Sequence, residues 1–297
     1  MTQNTPPVCN YEGSEYQQQF WEEGGRAYED AAEAIALKRL LPSEGEFMLE
    51  LGAGAGRNTP RYKNFKRIAL LDYSRTQLEQ ARARLGPSNR YWYIAADAYH
   101  LPFVPGLFDA ATMIRTLHHM VEPTLALSEV RRVMAPNGVF ILEFANKRNL
   151  KAMMRYLLGR QRWNPYSQEA IEFAALNFDF HPKAIRGYLR ENEFKIEKQL
   201  SVSHFRIGFL KRHLPAELLA GLDALIQWTG ALIQVSPSVF TRAKAPSNFQ
   251  PASGDAIFQC PLCGTSLVGI EQDLLCGGCG QRWGYQDGIY DFRINHA

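Results

Sequence analysis

Short apolar runs alternate with amphipathic stretches through the first half of the chain. The apolar runs predict β-strands at residues 47–51, 67–71, 91–95, 108–114 and 139–144. Apolar residues recur at the spacing of one helix face at residues 28–41, 76–85 and 125–134. Strands that alternate with helices in this way predict βαβ units. The pattern therefore indicates an α/β fold with a doubly wound parallel sheet, in which ligands bind beyond the C-terminal ends of the strands.

The second half of the chain continues this pattern after a long interruption. A helix at residues 181–191 and strands at residues 195–202 and 239–243 are predicted from the apolar spacing. Residues 146–180 are too many for a simple connection, so we expect them to form a helical cap over the substrate. The cap carries basic and aromatic candidates for substrate contact, namely Arg155, Tyr156, Arg160, Arg162, Trp163 and Tyr166.

A second apolar stretch, residues 214–235, has more apolar residues than one helix face holds and is interrupted by Gly221 and Gly230. Such a stretch fits burial in a lid, association with a second copy, or peripheral contact with a lipid surface. Burial in a lid over residues 206–235 is the interpretation that the sequence favours.

Charge is distributed unevenly along the 297 residues. Residues 146–245 carry 16 Lys/Arg and 8 Asp/Glu, a net charge of +8, whereas the segments before and after carry −2 and −3. A basic middle suits an anionic substrate, an RNA surface or a lipid headgroup, and equally a solvated helical surface. No apolar stretch is long enough to span a membrane, and the first residues do not resemble a signal peptide. A cytoplasmic location is therefore expected.

Composition divides the chain into four segments. Residues 1–10 are rich in Pro and Asn and are expected to be a disordered tail. Residues 11–245 hold the α/β pattern, and residues 246–255 have the composition of a linker. Residues 256–297 contain four of the five cysteines. The length of the chain suits one large domain followed by one small domain.

A glycine-rich segment follows the first strand and leads towards an expected helix. Glu50 precedes Gly52, Ala53, Gly54 and Gly56. Glycines at this point allow a tight turn and close approach of the backbone to a ligand. The third glycine comes one residue earlier than in a dinucleotide fingerprint. The acid suits a ligand with an ammonium group and would repel a pyrophosphate.

Acids also end the next two strands. Asp72 lies where a carboxylate accepts hydrogen bonds from the hydroxyls of a ribose. Asp97 is placed to accept from the exocyclic amine of a base. These positions predict a site for a nucleoside-like ligand at the C-terminal ends of the strands.

Five segments in order resemble a class I methyltransferase that uses S-adenosylmethionine (SAM). The segments are ELGAGAGRN, LLDYS, Asp97-Ala98 followed by LPF, FDAATMIRTLHH and RRVMAPNGVFILEF. The likeness is nearest to the small-molecule methyltransferases of ubiquinone and menaquinone biosynthesis and covers about residues 20–145. It implies a Rossmann-like seven-stranded sheet with a reversed last strand.

The resemblance also implies which residues bind SAM. The methionine end would lie at Glu50 and the glycine loop, the ribose at Asp72 and the adenine amine at Asp97. The other residues implied for SAM are Tyr73 and Ala98 beside the adenine, and Ile114 and Arg115 on the sulfonium side.

Methyl transfer to an oxygen or to an acidic carbon also needs a proton acceptor. His118 and His119 follow the fourth strand and face the expected pocket, so they are the candidate catalytic residues. Paired histidines are common here in the resembling family whatever the acceptor, which leaves other roles open. His181 and His204 are the alternatives.

The C-terminal cysteines form two CxxC pairs, Cys260 with Cys263 and Cys276 with Cys279. Two such pairs place four thiolates around one structural Zn²⁺, and a domain this small needs the metal to fold. Two disulfides are the alternative. Residues 256–292 resemble the zinc-ribbon activator that partners tRNA, ribosomal RNA and translation-factor methyltransferases, which implies stabilisation or activation in cis.

The predicted function is methyl transfer from SAM to a small-molecule acceptor, with the zinc ribbon acting in cis. The alternative is a tRNA, rRNA or protein methyltransferase that is activated by its fused ribbon. A third hypothesis is a methyltransferase fold without catalysis that serves as a scaffold. The sequence leaves the acceptor atom and the oligomeric state open.

Overall fold

The computed structural model describes residues 6–15, 17–248, 250–252, 254 and 256–294. Within them the helices are α1 (Ala27–Leu40), α2 (Arg75–Leu85), α3 (Pro123–Val133), α4 (Leu150–Leu157), α5 (Pro182–Glu191), α6 (Gly208–His213) and α7 (Ala216–Ile226). The strands are β1 (Gly45–Leu51), β2 (Phe65–Asp72), β3 (Tyr91–Ala95), β4 (Phe108–Met113), β5 (Met134–Ala145), β6 (Ile171–Ala174), β7 (Asn177–Asp179), β8 (Lys195–Val202), β9 (Ser238–Lys244), β10 (Phe258–Gln259), β11 (Ser266–Leu267), β12 (Leu274–Leu275), β13 (Arg282–Gln286) and β14 (Ile289–Asp291).

A ten-stranded sheet runs through the described residues in the order β12-β13-β14-β3-β2-β1-β4-β5-β9-β8. Strands β1 to β5 are parallel, and β9 is antiparallel to both β5 and β8. This arrangement confirms the Rossmann-like sheet with one reversed strand that the resemblance implies. The sheet exceeds the expected seven strands because three C-terminal strands extend it beyond β3.

Helices cover both faces of the sheet. On one face α3 and α5 contribute core residues such as Leu127 and Leu189. On the other face α1, α2 and α7 contribute Leu37, Leu78 and Leu219. The expected strands lie within a few residues of the observed ones, and β3 and β8 have the expected bounds. The agreement is close because parallel strands covered on both faces have continuous apolar sequences.

The connection from β1 to β2 differs from the helix expected after the glycine loop. It contains one 3₁₀ turn, Thr59–Arg61, with Pro60 inside it. Proline fits the first turn of a helix, and the short connection leaves no room for more turns. The side chains of Arg57 and Arg61 bond to Asp30, so α1 packs against this turn.

The cap at residues 146–180 contains less helix than expected. It consists of α4 and an antiparallel hairpin of β6 and β7. Gly159, with a positive φ of 66°, ends α4 in the conformation that closes many helices. Phe180 N–H donates to Ala145 O at 2.8 Å, so the chain that follows the hairpin lies beside the end of β5.

The stretch at residues 206–235 is buried on one side only. It forms α6, α7 and a 3₁₀ turn, Gln227–Ala231. α7 packs on α1 and buries Leu219 and Asp223. Its opposite side exposes Leu218, Leu222 and Leu225, so the expected burial in a lid does not hold there.

The C-terminal segment shares the sheet and core of the rest of the chain, which differs from the linker at 246–255 and the separate small domain at 256–297 that we expected. β14 pairs in parallel with β3, and Phe258 and Trp283 pack in one core with Phe103. Within the expected linker, Ala252 N–H donates to Gly106 O at 3.0 Å. The physical reason is that so short a segment buries little apolar surface alone, while β3 would otherwise expose an unpaired edge.

The N-terminus is also more structured than expected. Residues 1–5 of the predicted disordered tail lie outside the described residues. Residues 6–15, which we call the N-terminal strap, lie against the C-terminal ends of the strands. Val8 and Cys9 there are half-buried and line a cavity with Leu51 and Ala96. Polar contacts to α2, described below, hold the strap in place.

Candidate active site and metal centre

The glycine loop lies at the C-terminal end of β1, in the middle of the parallel strands. Its three glycines have positive φ values, 71° at Gly52, 51° at Gly54 and 70° at Gly56. Side chains disfavour this conformation. At Gly52 a Cβ would also overlap the side chain of Thr116. The N–H of Ala53 donates to Leu71 O at 3.0 Å, which ties the loop to β2.

Glu50 is buried beneath this loop and is only 4% exposed. Its Oε2 accepts a hydrogen bond from Thr59 Oγ1 at 2.6 Å. Burial raises the pKa of Glu50 to about 7, against the opposing effects of Thr59 and of the Arg57 charge. The carboxyl group is therefore balanced between its neutral and charged forms near neutral pH. A cation beside it would favour the carboxylate.

Asp72 ends β2, and each of its carboxylate oxygens accepts one backbone hydrogen bond. Gly54 N–H donates to Oδ2 at 2.8 Å, and Ser74 N–H donates to Oδ1 at 3.0 Å. A carboxylate has about four acceptor positions, so each oxygen keeps one for another donor. Burial raises the pKa of Asp72, and hydrogen bonds from the backbone of Ser74, Gly54 and Tyr73 partly offset this. The group can accept from two ligand hydroxyls.

Asp97 follows β3 and holds an unused acceptor. Its Oδ1 accepts from Tyr99 N–H at 2.9 Å, whereas Oδ2 is buried without a hydrogen bond among the described residues, with His100 Nδ1 3.6 Å away. A buried oxygen without a donor is costly, and an amine of a bound base would supply one. Ala98 beside it lines the same cavity as Tyr73 and Asp72.

The N-terminal strap forms one wall of this cavity. Val8, Cys9 and Tyr11 line it together with Asp72 and Met120. This role could not be predicted from the sequence, because the segment is polar and has no periodic pattern. Its place in the fold follows from contacts with residues more than 60 positions away in the chain.

Glu12 anchors the strap. Its carboxylate accepts from the N–H groups of Arg75 at 3.0 Å and Thr76 at 3.2 Å, in the first turn of α2. A carboxylate at this end of a helix satisfies donors that lack a partner within the helix. Glu12 also accepts from Arg293 Nη1 at 3.3 Å. The strap therefore connects the cavity with both α2 and the C-terminal segment.

Ile114 and Arg115 lie beside the glycine loop and line a second, adjoining cavity with Glu50. Arg115 has a φ of 58°, a left-handed conformation that is uncommon for a residue with a side chain. Its N–H donates to Glu143 Oε2 at 3.0 Å. Its guanidinium turns to α1, where Nε donates to Glu33 Oε1 at 2.8 Å.

Glu33 is at the centre of a buried charge cluster that the sequence did not predict. Besides Arg115, Arg57 donates to it through Nη2 at 2.8 Å. Burial alone would raise the pKa of Glu33, but the two guanidinium groups outweigh it and lower the pKa to about 2. Trp21 packs under Arg57, 3.5 Å from Cζ to the ring centroid. The sequence feature that could have revealed Glu33 is an acidic residue among the apolar, core-facing positions of α1.

The candidate bases His118 and His119 lie in a 3₁₀ turn after β4, with ring centroids 3.9 Å apart. His119 uses both ring nitrogens, since Nδ1 is 2.9 Å from Leu176 O and Nε2 is 3.1 Å from Tyr11 Oη. Because a carbonyl only accepts, Nδ1 carries the proton of the neutral ring. Among the described residues no hydrogen bond engages the ring of His118. Burial lowers the pKa of both histidines, so both are neutral at pH 7.

The alternative histidines have structural partners. His181 accepts from Lys183 N–H at 3.1 Å as the cap of α5, and burial lowers the pKa of His181 to about 4. His204 Nδ1 lies 2.8 Å from Asp223 Oδ1. In the part of the chain that the structure describes, neither lines the two cavities beside the glycine loop. Among the described histidines His119 lines one of these cavities, beside Asp72, whereas His118 packs against it and lines neither.

The four C-terminal cysteines converge, with all Sγ atoms within 4.8 Å of one another. Two of the Sγ–Sγ distances are 3.7 Å (Cys260 to Cys279) and 3.3 Å (Cys263 to Cys276), and none of the thiols is in a disulfide. Four sulfurs about 2.3 Å from one tetrahedral ion would be about 3.8 Å apart. The donor set and its spacing therefore fit a closed metal site with no position left for a substrate.

Comparison with known families agrees with this geometry. Residues 49–142 match the family model described as a methyltransferase domain. The match includes the glycine loop, Asp72, Asp97 and the two histidines. This part of the chain, residues 49–142, is a methyltransferase domain. The resemblance found in the five segments of the sequence is thereby confirmed.

Curated relatives share this part of the chain. A demethylmenaquinone methyltransferase of Clavibacter sepedonicus is 36% identical over 110 residues, which cover 36% of this chain and 45% of that protein. An O-methyltransferase of Penicillium expansum is 28% identical over 135 residues, covering 41% of this chain and 48% of that protein. The chain therefore spans about half the length of the curated relatives it matches.

Solved structures show the same fold over a longer part of the chain. One is a chain from the complex between the Haloferax volcanii Trm112 methyltransferase activator and a methyltransferase, with a TM-score of 0.55, 17% identity, and coverage of 78% of this chain and 96% of that chain. Another is a SAM-dependent methyltransferase of Thermotoga maritima, with a TM-score of 0.53, 20% identity, and coverage of 77% and 97%. None of the described helices has the length and apolar character that a bilayer crossing requires.

Proposed function

We propose that this chain transfers a methyl group from SAM to a small-molecule acceptor. The proposal rests above all on the arrangement at the ends of β1 to β4, where the glycine loop, the carboxyl groups of Glu50 and Asp72 and the ring of His119 line adjoining cavities. Relatives named as a demethylmenaquinone methyltransferase and an O-methyltransferase support a small acceptor.

SAM supplies a methyl group that is already activated on a sulfonium. The chain would hold its ammonium with the Glu50 carboxylate and its ribose hydroxyls with Asp72. The unused Oδ2 of Asp97 would accept from the adenine amine. Positioning and exclusion of water are the main tasks of the protein in such a displacement. The N-terminal strap serves the second task because it closes one wall of the cavity.

The proposed proton acceptor is one of the paired histidines, of which His119 lines the cavity beside Asp72. In His119 the proton of an acceptor hydroxyl or acidic carbon would go to Nε2, in place of the hydrogen bond with Tyr11 Oη, because Leu176 O already holds Nδ1–H. Burial lowers the pKa of both histidines, which leaves the rings neutral but makes each a weaker base than an exposed imidazole.

We also propose that the four cysteines bind a structural Zn²⁺. The two CxxC turns are alike, since Gly264 N–H donates to Cys260 O and Gly280 N–H donates to Cys276 O, each at 2.9 Å. The ion would hold these turns together and so support β12 to β14 against the edge of β3.

Labelled methyl-SAM and a cell extract, separated into RNA, protein and small-molecule fractions, test the proposal. We expect label in the small-molecule fraction. Asp72→Ala should weaken SAM binding about tenfold or more, because it removes hydrogen bonds to a charged group. Asp287→Ala, which removes an exposed acid outside the site, should leave SAM binding unchanged. Undiminished SAM binding by Asp72→Ala would contradict the assigned site.

A second candidate function is methylation of RNA or protein. It is favoured by the fused cysteine segment and by the similarity to a chain solved in a complex with the Trm112 methyltransferase activator. Label in the RNA or protein fraction of the same experiment would support this candidate. Binding to RNA would also weaken steeply as salt is raised.

A further inference from the structure

Apolar side chains of α4 face solvent along one side of the helix. They are Leu150, Met154, Leu157 and Leu158, and Leu157 is 71% exposed. Their spacing of i, i+4, i+7 and i+8 places them on one helix face, while Ala152 on the opposite side is buried. Surfaces of soluble proteins rarely collect so many large apolar side chains in one place without a function.

A second exposed apolar face runs along α7 and the 3₁₀ turn after it. It consists of Leu218, Leu222, Leu225, Trp228 and Leu232. Leu218, Leu222 and Leu225 share one face of α7, away from the buried Leu219 and Asp223, and Trp228 and Leu232 follow in the 3₁₀ turn and directly after it. The start of α4 is joined to the end of this stretch, because Leu150 N–H donates to Val235 O at 2.8 Å. We call the two exposed faces together the cap surface.

Positive charge accompanies the α4 part of the cap surface. Residues 146–168 include six Lys/Arg and no Asp/Glu. Lys147 is buried and donates to Ser167 and Glu169. The exposed cations of this segment are Lys151, Arg155, Arg160 and Arg162. Leucine and methionine on one side with Lys and Arg beside them are typical of helices that lie in a membrane interface.

We propose that the cap surface docks on a membrane that contains anionic phospholipids. The apolar side chains of α4 and α7 enter the boundary between headgroups and acyl chains, and the four exposed cations meet the lipid phosphates. This attachment is peripheral and is independent of the methyl transfer proposed above. It would place the C-terminal end of β5, close to His118, towards the bilayer.

Two other occupants fit the surface less well. A symmetric contact between two copies of α4 would bring like charges together, since the segment has no acid to pair with its cations. An RNA would satisfy the charges but not the leucines, because RNA-binding surfaces use aromatic rings to stack on bases. An anionic membrane accounts for both the apolar and the basic residues.

Flotation with vesicles tests the proposal on the full-length protein. The protein should float with vesicles of phosphatidylcholine and phosphatidylglycerol in equal parts, and much less with phosphatidylcholine alone. Arg155→Glu with Arg160→Glu should weaken binding about twenty-five-fold or more, since each lost cation near an anionic surface contributes about fivefold and each new acid is repelled by the surface. Leu157→Ser with Leu158→Ser should weaken it on the order of tenfold or more.

Matched controls separate the cap surface from general effects of charge and exposure. Lys38→Glu with Lys63→Glu removes two exposed cations elsewhere. Val268→Ser with Leu275→Ser removes exposed apolar residues from the C-terminal segment, where Leu275 is 70% exposed. Both control variants should bind the anionic vesicles like the unaltered protein. Thermal unfolding of every variant shows whether its fold is retained.

Three outcomes would overturn the proposal. The first is no flotation of the unaltered protein with either vesicle. The second is a dimer in sedimentation that Leu157→Ser with Leu158→Ser dissociates, which would assign the surface to a second copy. The third is RNA binding that the arginine variants abolish while the leucine variants bind vesicles normally. None of these results depends on methyl transfer.

Discussion

Glu50 shows how a single buried side chain can link cofactor binding to pH. It lies below the glycine loop with Thr59 as a hydrogen-bond donor, and burial raises its pKa to about 7. The neutral form predominates below that pH. An ammonium group needs the charged form, so binding of such a ligand has to remove the proton first.

SAM affinity is therefore predicted to depend on pH through Glu50. Because the pKa is raised, the carboxylate forms as pH increases through about 7, and affinity should rise over that range. One pH unit below the pKa, SAM should bind about tenfold more weakly than well above it. Equilibrium binding of labelled SAM at a series of pH values measures this.

Glu50→Gln is the variant that tests the cause of this dependence. This variant should bind SAM weakly at every pH, and its affinity for SAM should no longer change with pH. Glu46→Gln serves as its control, because Glu46 is an exposed acid on the same strand and pairs with Lys66. The SAM affinity of this control should keep its dependence on pH. A pH dependence that survives in Glu50→Gln would assign the titration to another group.

The positions of candidate site residues could be predicted from the sequence only where a local pattern, such as the end of a strand, marks them. The glycine loop, Asp72 and Asp97 stand at the ends of recognisable strands. Glu33 and Tyr11 were missed, because their roles arise from contacts with Arg115 and His119, which lie 82 and 108 positions away. No periodic pattern in a single sequence encodes such pairs.

The N-terminal strap is the element with the clearest consequence for the site. Glu12 accepts hydrogen bonds from backbone N–H groups at the start of α2, and Gln77 Nε2 donates to Ser14 O at 2.9 Å. Both contacts hold the strap across the cavity that Asp72 and Tyr73 line. Movement of this wall would therefore change how fast a ligand of that cavity leaves it.

Glu12→Ala should accelerate the dissociation of SAM several-fold. The substitution removes three acceptor bonds to α2 and the contact with Arg293, so the strap opens more often. The rate is measured by chasing bound labelled SAM with unlabelled SAM. Glu44→Ala removes an exposed acid before β1 and should leave the rate unchanged. Equal rates in both variants would show that the strap does not close the cavity.

At the scale of the whole molecule, the C-terminal segment completes the catalytic sheet. β14 covers the edge of β3, and the buried Cys260 and Cys276 lie in one core with Phe258, Trp283 and Tyr290. β3 ends next to Asp97. A metal site that holds these strands can therefore influence the adenine side of the candidate SAM site without touching it.

The purified chain should contain one zinc ion per molecule, which Cys276→Ser should lose. We expect this variant to unfold at a lower temperature and to bind SAM more weakly, since β12 to β14 lose their support. Elemental analysis and thermal unfolding measure the two effects. Cys9→Ser alters the cysteine outside the cluster and should keep the zinc. Full zinc content in Cys276→Ser, or disulfides in the purified protein, would contradict the proposed site.

Local patterns in the sequence were sufficient for the parallel strands, the glycine loop, the acids at the strand ends and the paired cysteines. Each of these is specified by neighbours in the chain, through burial on both faces of a strand, positive φ or CxxC spacing. Tertiary structure alone decided that the C-terminal strands join β3, that the strap covers the cavity, and that Glu33 pairs with Arg115 and Arg57. These features depend on contacts between segments that are distant in the chain. The exposed edge of β3 pairs with β14, the strap fits the shape of the cavity, and the buried carboxylate of Glu33 attracts the two guanidinium groups.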